Sequence, residues 1–100
     1  MNLPAKVVAR FWSKVRRTPS GHGIWRASRD KDEYGLFSLP RPLAKQLGLP
    51  RPIRAHRLAF FLKGGTIPPG LVLGHYQHCH RPECIHHVRP ITPAQNRRER

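Results

Sequence analysis

Eleven prolines punctuate this 100-residue chain from Pro4 to Pro93, and they limit its fold more than any other feature. A proline ring fixes φ and removes a backbone donor, so it breaks helix interiors and sits only at edges within sheets. Long helices and wide sheets are therefore not expected. Hydrophobic residues make up 38% of the chain, enough for one domain over residues 1–100 with a single modest core. A core of that size commonly needs a metal or a disulfide as a staple.

Between the prolines the pattern predicts short elements. Val7, Val8, Phe11, Trp12 and Val15 form a helical stripe opened by Pro4. Residues 23–27 and 34–39 read as two strands joined by a polar connection, and residues 43–47 as a short helix stopped by Gly48. Residues 55–63 read as a second helix ended by Gly64-Gly65, and Leu71-Val-Leu73 as a short buried strand. Thr92-Pro93-Ala94-Gln95 combines an N-cap, a first-turn proline and a capping-box glutamine, which puts Asn96 in the first turn of a final helix. No internal repeat or linker divides the chain.

Nineteen Lys and Arg against five Asp and Glu leave a formal charge of +14. Charge of that size repels itself unless a polyanion neutralises it, which points to nucleic acid. Lys14, Arg16, Arg17, Arg26, Arg51, Arg97, Arg98 and Arg100 are candidates for phosphate-backbone contacts, which position a protein without reading sequence. The basic residues are scattered and do not lie along one amphipathic helix, which disfavours a membrane-surface role. No apolar run is long enough for a membrane span, and Lys6 and Arg10 interrupt the N-terminus where a signal peptide would need its apolar core. A cytoplasmic, reduced setting is expected, in which Cys79 and Cys84 are metal ligands rather than a disulfide.

Cys79 and Cys84 enclose four residues, and His87 follows Cys84 at C-x-x-H spacing. One tight loop would thus present two thiolates and an imidazole, donors that suit tetrahedral zinc. A structural zinc needs a fourth ligand. His78, His80 and His86 are available in the loop, and His22 is the remote candidate.

Gly70-Leu-Val-Leu-Gly-His75, the two cysteines and the closing Thr92-Pro-Ala-Gln-Asn96 resemble the pattern of phage-borne HNH endonucleases. These belong to the His-Me finger superfamily and are similar to the His-Cys box homing endonucleases. The resemblance also takes in Phe11-Trp-Ser-Lys-Val15, Tyr34-Gly-Leu-Phe37 and Ala55-His-Arg-Leu-Ala-Phe60, and so runs along most of the chain. It implies an α+β fold, zinc-stapled, with a ββα-metal core over about residues 67–100 and flanking short strands and helices. It implies His75 as the general base and Asn96 as the residue that holds a catalytic divalent ion, Mg²⁺ or another divalent cation. The family's zinc is bound by two loop cysteines, a loop histidine and an early cysteine three residues before a tryptophan. His22 stands three residues before Trp25, so the implied set is His22, Cys79, Cys84 and His87, with His in place of Cys.

Three departures accompany the resemblance. Two extra residues between His75 and Cys79 make His78 a rival base. Two fewer after Cys84 make His86 a rival ligand. A proline-bounded insertion over residues 40–52 replaces a short hairpin connection.

The expected activity is hydrolysis of a DNA phosphodiester. Imidazole titrates near neutrality and can take a proton from water. Arg54 and Arg57, beside His56, are the candidates for offsetting charge on the scissile phosphate. One site per chain cuts one strand at a time, so double-strand cutting would require a homodimer or two visits. A catalytically inactive zinc-containing DNA- or RNA-binding protein would share the charge and the zinc but would have no need of His75 with Asn96. A zinc hydrolase would require an open zinc position and a nearby carboxylate base; only Glu83 lies in the loop.

Overall fold

A computed structural model of the protein describes residues 3–75, 83–86 and 88–98. Among these residues the fold is a small mixed α+β arrangement of four short helices and antiparallel strand pairs. No described helix is long and apolar enough to cross a membrane.

Helix α1 (Ala5–Trp12) follows Pro4 at its N-cap and buries Val7 and Phe11, one turn apart on one face. The helical stripe stops short of Val15. Lys14 N–H bonds back to Phe11 in a tight turn, and Arg26 N–H donates to Lys14 at 2.7 Å, drawing the chain into strand β1 (Val15–Arg17). β1 pairs with β2 (Gly23–Trp25), Val15 opposite Trp25. A β-branched residue fits either periodicity, and here the ladder takes it.

The region expected as a second strand contains β3 (Leu36–Phe37), which pairs with β4 (Ile53–Arg54) rather than with β2. The turn before β3 is built on Asp30, whose Oδ1 accepts from the backbone of Asp32 at 2.9 Å and Tyr34 at 3.1 Å. Helix α2 (Arg41–Leu47) begins two residues earlier than its apolar pattern suggests, because Pro40 and Pro42 serve as cap and first-turn residue. It ends on Gly48, whose left-handed φ of 66° is open to glycine without a Cβ penalty. β4 runs directly into α3 (Ala55–Leu62), which buries Ala55, His56, Leu58 and Ala59.

The last third is a hairpin followed by a helix. β5 (Val72–His75) pairs with β6 (Val88–Ile91), Val72 opposite Ile91 and His75 opposite Val88, and α4 (Pro93–Arg98) follows. The expected buried strand at 71–73 is a correction: Val72 is 37% exposed. A two-stranded hairpin has a solvent face, and Pro90 is tolerated in β6 because no third strand needs its missing donor. The capping box forms as expected. Gln95 N–H donates to Thr92 Oγ1 at 3.1 Å and Thr92 N–H to Gln95 Oε1 at 3.0 Å.

The core lies between α1, β2, β3, α2 and α3. Phe11, Trp25 and Phe37 form its aromatic centre with ring centroids 5.0–5.9 Å apart, and Leu39, Ile53 and Leu58 close around them. Complete burial of such side chains contributes about 1.5–3 kcal/mol each. From the last third, Ile85 joins this cluster, while Ile24 and Cys84 form a separate small one. Val88 and Ile91 of β6 are buried as well.

Candidate functional site

His22 and Cys84, separated by 62 positions in sequence, meet in space. A turn fixes His22: its N–H donates to Thr18 Oγ1 at 3.1 Å, and its carbonyl accepts from Thr18 N–H at 2.9 Å. The free edge of β2 fixes Cys84. Trp25 N–H donates to the Glu83 carbonyl at 3.0 Å, Ile85 N–H to the Gly23 carbonyl at 2.9 Å, and Ile24 bridges Cys84. The outcome is His22 Nδ1 at 3.4 Å from Cys84 Sγ.

Zinc–sulfur and zinc–nitrogen bonds of about 2.3 and 2.0–2.1 Å, at a tetrahedral angle, put the two donors about 3.5 Å apart. The observed spacing therefore suits two ligands of one zinc. A thiol–imidazole hydrogen bond has a similar length, so distance alone does not separate the two. Burial of Cys84, at 0% exposure, does separate both from an accessible nucleophile. Cys79 and His87, the other two expected ligands, lie outside the described residues, as do His78 and His80.

His86 is engaged elsewhere. Its Nδ1 is 2.6 Å from Lys63 Nζ and its ring stacks on Trp12 at 6.2 Å. Among the described residues, no third His, Cys, Asp or Glu gathers with His22 and Cys84. Partial burial lowers the pKa of Lys63 from its ordinary value, the nearby Arg17 lowers it further, and Cys84 acts in the opposite sense. Gly23 makes this packing possible, since a Cβ there would collide with the His86 ring. The sequence reading missed the Lys63–His86 contact. Its only sequence signal is the glycine directly after His22.

The hairpin–helix unit carries the second pair. His75 is the last residue of β5, and its backbone faces Val88 across the ladder. Asn96 lies in the first turn of α4, with its N–H on the Thr92 carbonyl at 3.0 Å. Its side chain reaches back to β5: a Cβ built on Gly74 would stand 2.9 Å from Asn96 Oδ1 and would also collide with Ile91. The glycine next to His75 thus leaves the space that the asparagine oxygen occupies. Oδ1 is a hard neutral donor, suited to Mg²⁺, which takes few protein ligands and keeps several waters.

Arg54 and Arg57 are placed differently from each other. Arg54 is ion-paired with Asp30 at 3.3 Å and lies over the Tyr34 ring at 4.4 Å. Arg57 is exposed, its guanidinium 5.7 Å from the Phe61 ring centre. Both line a cavity of about 600 Å³ with His56 and the 67–73 segment leading into β5. His56 is 5% exposed and packs on Tyr34 at 5.4 Å, so it is chiefly a core residue.

Of the other basic candidates, Arg16, Arg17 and Arg26 are exposed around the β1–β2 hairpin. Arg51 instead ties its loop down, donating from Nε to the Leu39 carbonyl at 2.7 Å. Arg10 does likewise, bonding the Ser38 carbonyl at 2.8 Å and covering Phe37. The side chains of Arg97, Arg98 and Arg100 fall outside the described residues.

Compared with known protein families, curated proteins and solved structures, the chain matches none.

Proposed function

We propose that the protein is a divalent-metal-dependent DNA endonuclease stapled by a structural zinc, with β5, β6 and α4 as a ββα-metal core. The observation that carries this reading is Asn96 Oδ1 seated in the gap left by Gly74, the residue that precedes His75 in β5. A hydrolytic site needs a base close to an ion, and Gly74 brings the Asn96 oxygen against the β5 backbone one residue from His75.

In this mechanism His75 accepts the proton of the attacking water at an imidazole nitrogen. Asn96 offers Oδ1 to a divalent ion, which when bound supplies Lewis-acid stabilisation of the scissile phosphate and its leaving oxygen. Arg57 offsets phosphate charge. Arg54, already balanced by Asp30, has a lesser part in this. His22 and Cys84, together with Cys79 and His87, hold the zinc, and the partnership of His86 with Lys63 favours His87 over His86 in that set. A zinc held by four protein ligands would have no vacancy for water, so what it would supply is folding energy.

Purified protein incubated with supercoiled plasmid tests the proposal. Nicking should require Mg²⁺ and disappear in His75→Ala while DNA affinity is retained. A wild type that binds plasmid and never nicks it at any Mg²⁺ concentration would leave a zinc-containing DNA- or RNA-binding protein of this fold.

A further inference from the structure

The side chains lining the cavity beside α3 are of two kinds. One is cationic, with Arg54 and Arg57 on either side of the buried His56. The other is apolar and rigid, formed by Pro50, Pro52, Pro68 and Pro69 together with the 71–73 segment. Its volume of about 600 Å³ falls among pockets that enclose a small molecule, about 300–1,000 Å³.

Charge narrows the occupant. Asp30 neutralises one of the two arginines, leaving roughly one unit of uncompensated positive charge at the rim, which balances one phosphodiester and about half the charge of a terminal phosphate. An inorganic anion would have no use for the prolines. A purely apolar ligand would gain nothing from the guanidiniums. A molecule with one anionic end and one flat, weakly hydrated end suits both kinds. Proline rings offer no N–H and lose no backbone freedom when covered, so they make a ready surface for the face of a base.

We propose that this cavity is a nucleotide subsite that takes a single nucleoside 5′-phosphate unit, its base against the prolines and its phosphate at Arg57. The inference extends the nuclease reading without requiring that the chain cut DNA. The unit has two sources, a free mononucleotide or a nucleotide drawn out of a bound strand.

The test is an amide-shift titration of the full-length, zinc-containing protein with deoxyadenosine 5′-monophosphate, deoxyribose 5-phosphate and inorganic phosphate. The nucleotide should bind about tenfold or more tightly than deoxyribose phosphate, the scale of one base contact. The shifts should centre on residues 54–57 and 71–73. Ile67→Trp, which fills the cavity from a half-buried loop position, should remove the advantage of the base. Pro69→Trp is the second filling variant should the first fail to fold. A duplex carrying 2-aminopurine distinguishes the sources: a fluorescence rise on binding identifies a nucleotide drawn from the strand, and its absence beside tight mononucleotide binding identifies the free nucleotide. Equal affinity for nucleotide and deoxyribose phosphate, or filling variants that bind as the wild type does, would overturn the subsite. Nucleotide binding without plasmid nicking removes only the nuclease reading, and nicking without any nucleotide preference removes only this one.

Discussion

Replacing Cys84 by Ser separates a zinc ligand from a buried thiol by magnitude. Cys84 is fully buried, 3.4 Å from His22 Nδ1, and its only companion in the local apolar cluster is Ile24. As a simple hydrogen-bond partner, it would be replaced by a hydroxyl able to make the same bond, at a cost of about 1 kcal/mol. In a domain of this size that shifts Tm by roughly 4–8 °C. As a zinc ligand it takes part in an interaction of about 10–16 kcal/mol in small zinc domains. The whole stability expected for 100 residues is about 5–15 kcal/mol. Loss of zinc binding would then exceed what the apolar core can replace. Cys84→Ser should show no cooperative melting transition by circular dichroism, wild type should carry about one zinc per chain, and chelator should reproduce the mutant's behaviour. A wild type that is metal-free, melts unchanged in chelator and loses only a few degrees in Cys84→Ser would refute the zinc assignment.

Other expectations follow from the same geometry. DNA affinity should fall steeply with salt, by about 10³–10⁵ between 50 and 200 mM if six to ten phosphates are engaged, and a flat titration would contradict a backbone-dominated interface. Gly74→Ala places a methyl against Ile91 and Asn96, so it should cost about 1–3 kcal/mol by overpacking. Its nicking, measured well below its Tm, should fall further than that stability loss explains; wild-type nicking in this variant would dissociate Asn96 from the ion. His75→Ala should keep zinc, Tm and DNA affinity while losing nicking by roughly 10²-fold or more, and His78→Ala should lose much less. The reverse ranking, read from plasmid nicking rates, would transfer the role of base to His78.

Much of the fold could be read where a local signal decides the structure. Gly48 ends α2 and the Thr92–Gln95 box starts α4 because caps act within four residues of themselves. The short strands were less legible. β1, β4 and β6 are only two to four residues long, and each is defined by a partner elsewhere in the chain. Val15 continued the phase of α1 until the Arg26–Lys14 bond claimed it, and β6, which contains Pro90, carried no strand signal that was read. In the candidate site, His22 and Cys84 were named together only through the resemblance, as two of four zinc ligands, and the structure brings these two side chains to 3.4 Å. The Asp30–Arg54 and Lys63–His86 pairs were not anticipated, since nothing in a sequence reports which charged side chains meet across folded segments.

The His22–Cys84 pair and the hairpin–helix unit that carries His75 and Asn96 are linked through β2. β2 pairs with β1 along one edge and with residues 83–85 along the other, and through those residues the hairpin–helix unit is tethered to the core. An isolated two-stranded hairpin is marginal in water, so this unit depends on its contacts with the rest of the fold. His75 and Asn96 ride on that unit, whereas Arg57 rides on α3, which is packed into the main core. In the proposed nuclease, the position of His75 and Asn96 relative to Arg57 would therefore depend on how firmly residues 83–85 are held against β2. His22 and Cys84 meet at that seam. A zinc there would do more than add folding energy: it would fix the hairpin against α3, and a misplacement of about 1 Å between such groups is enough to cost on the order of 10²-fold in rate.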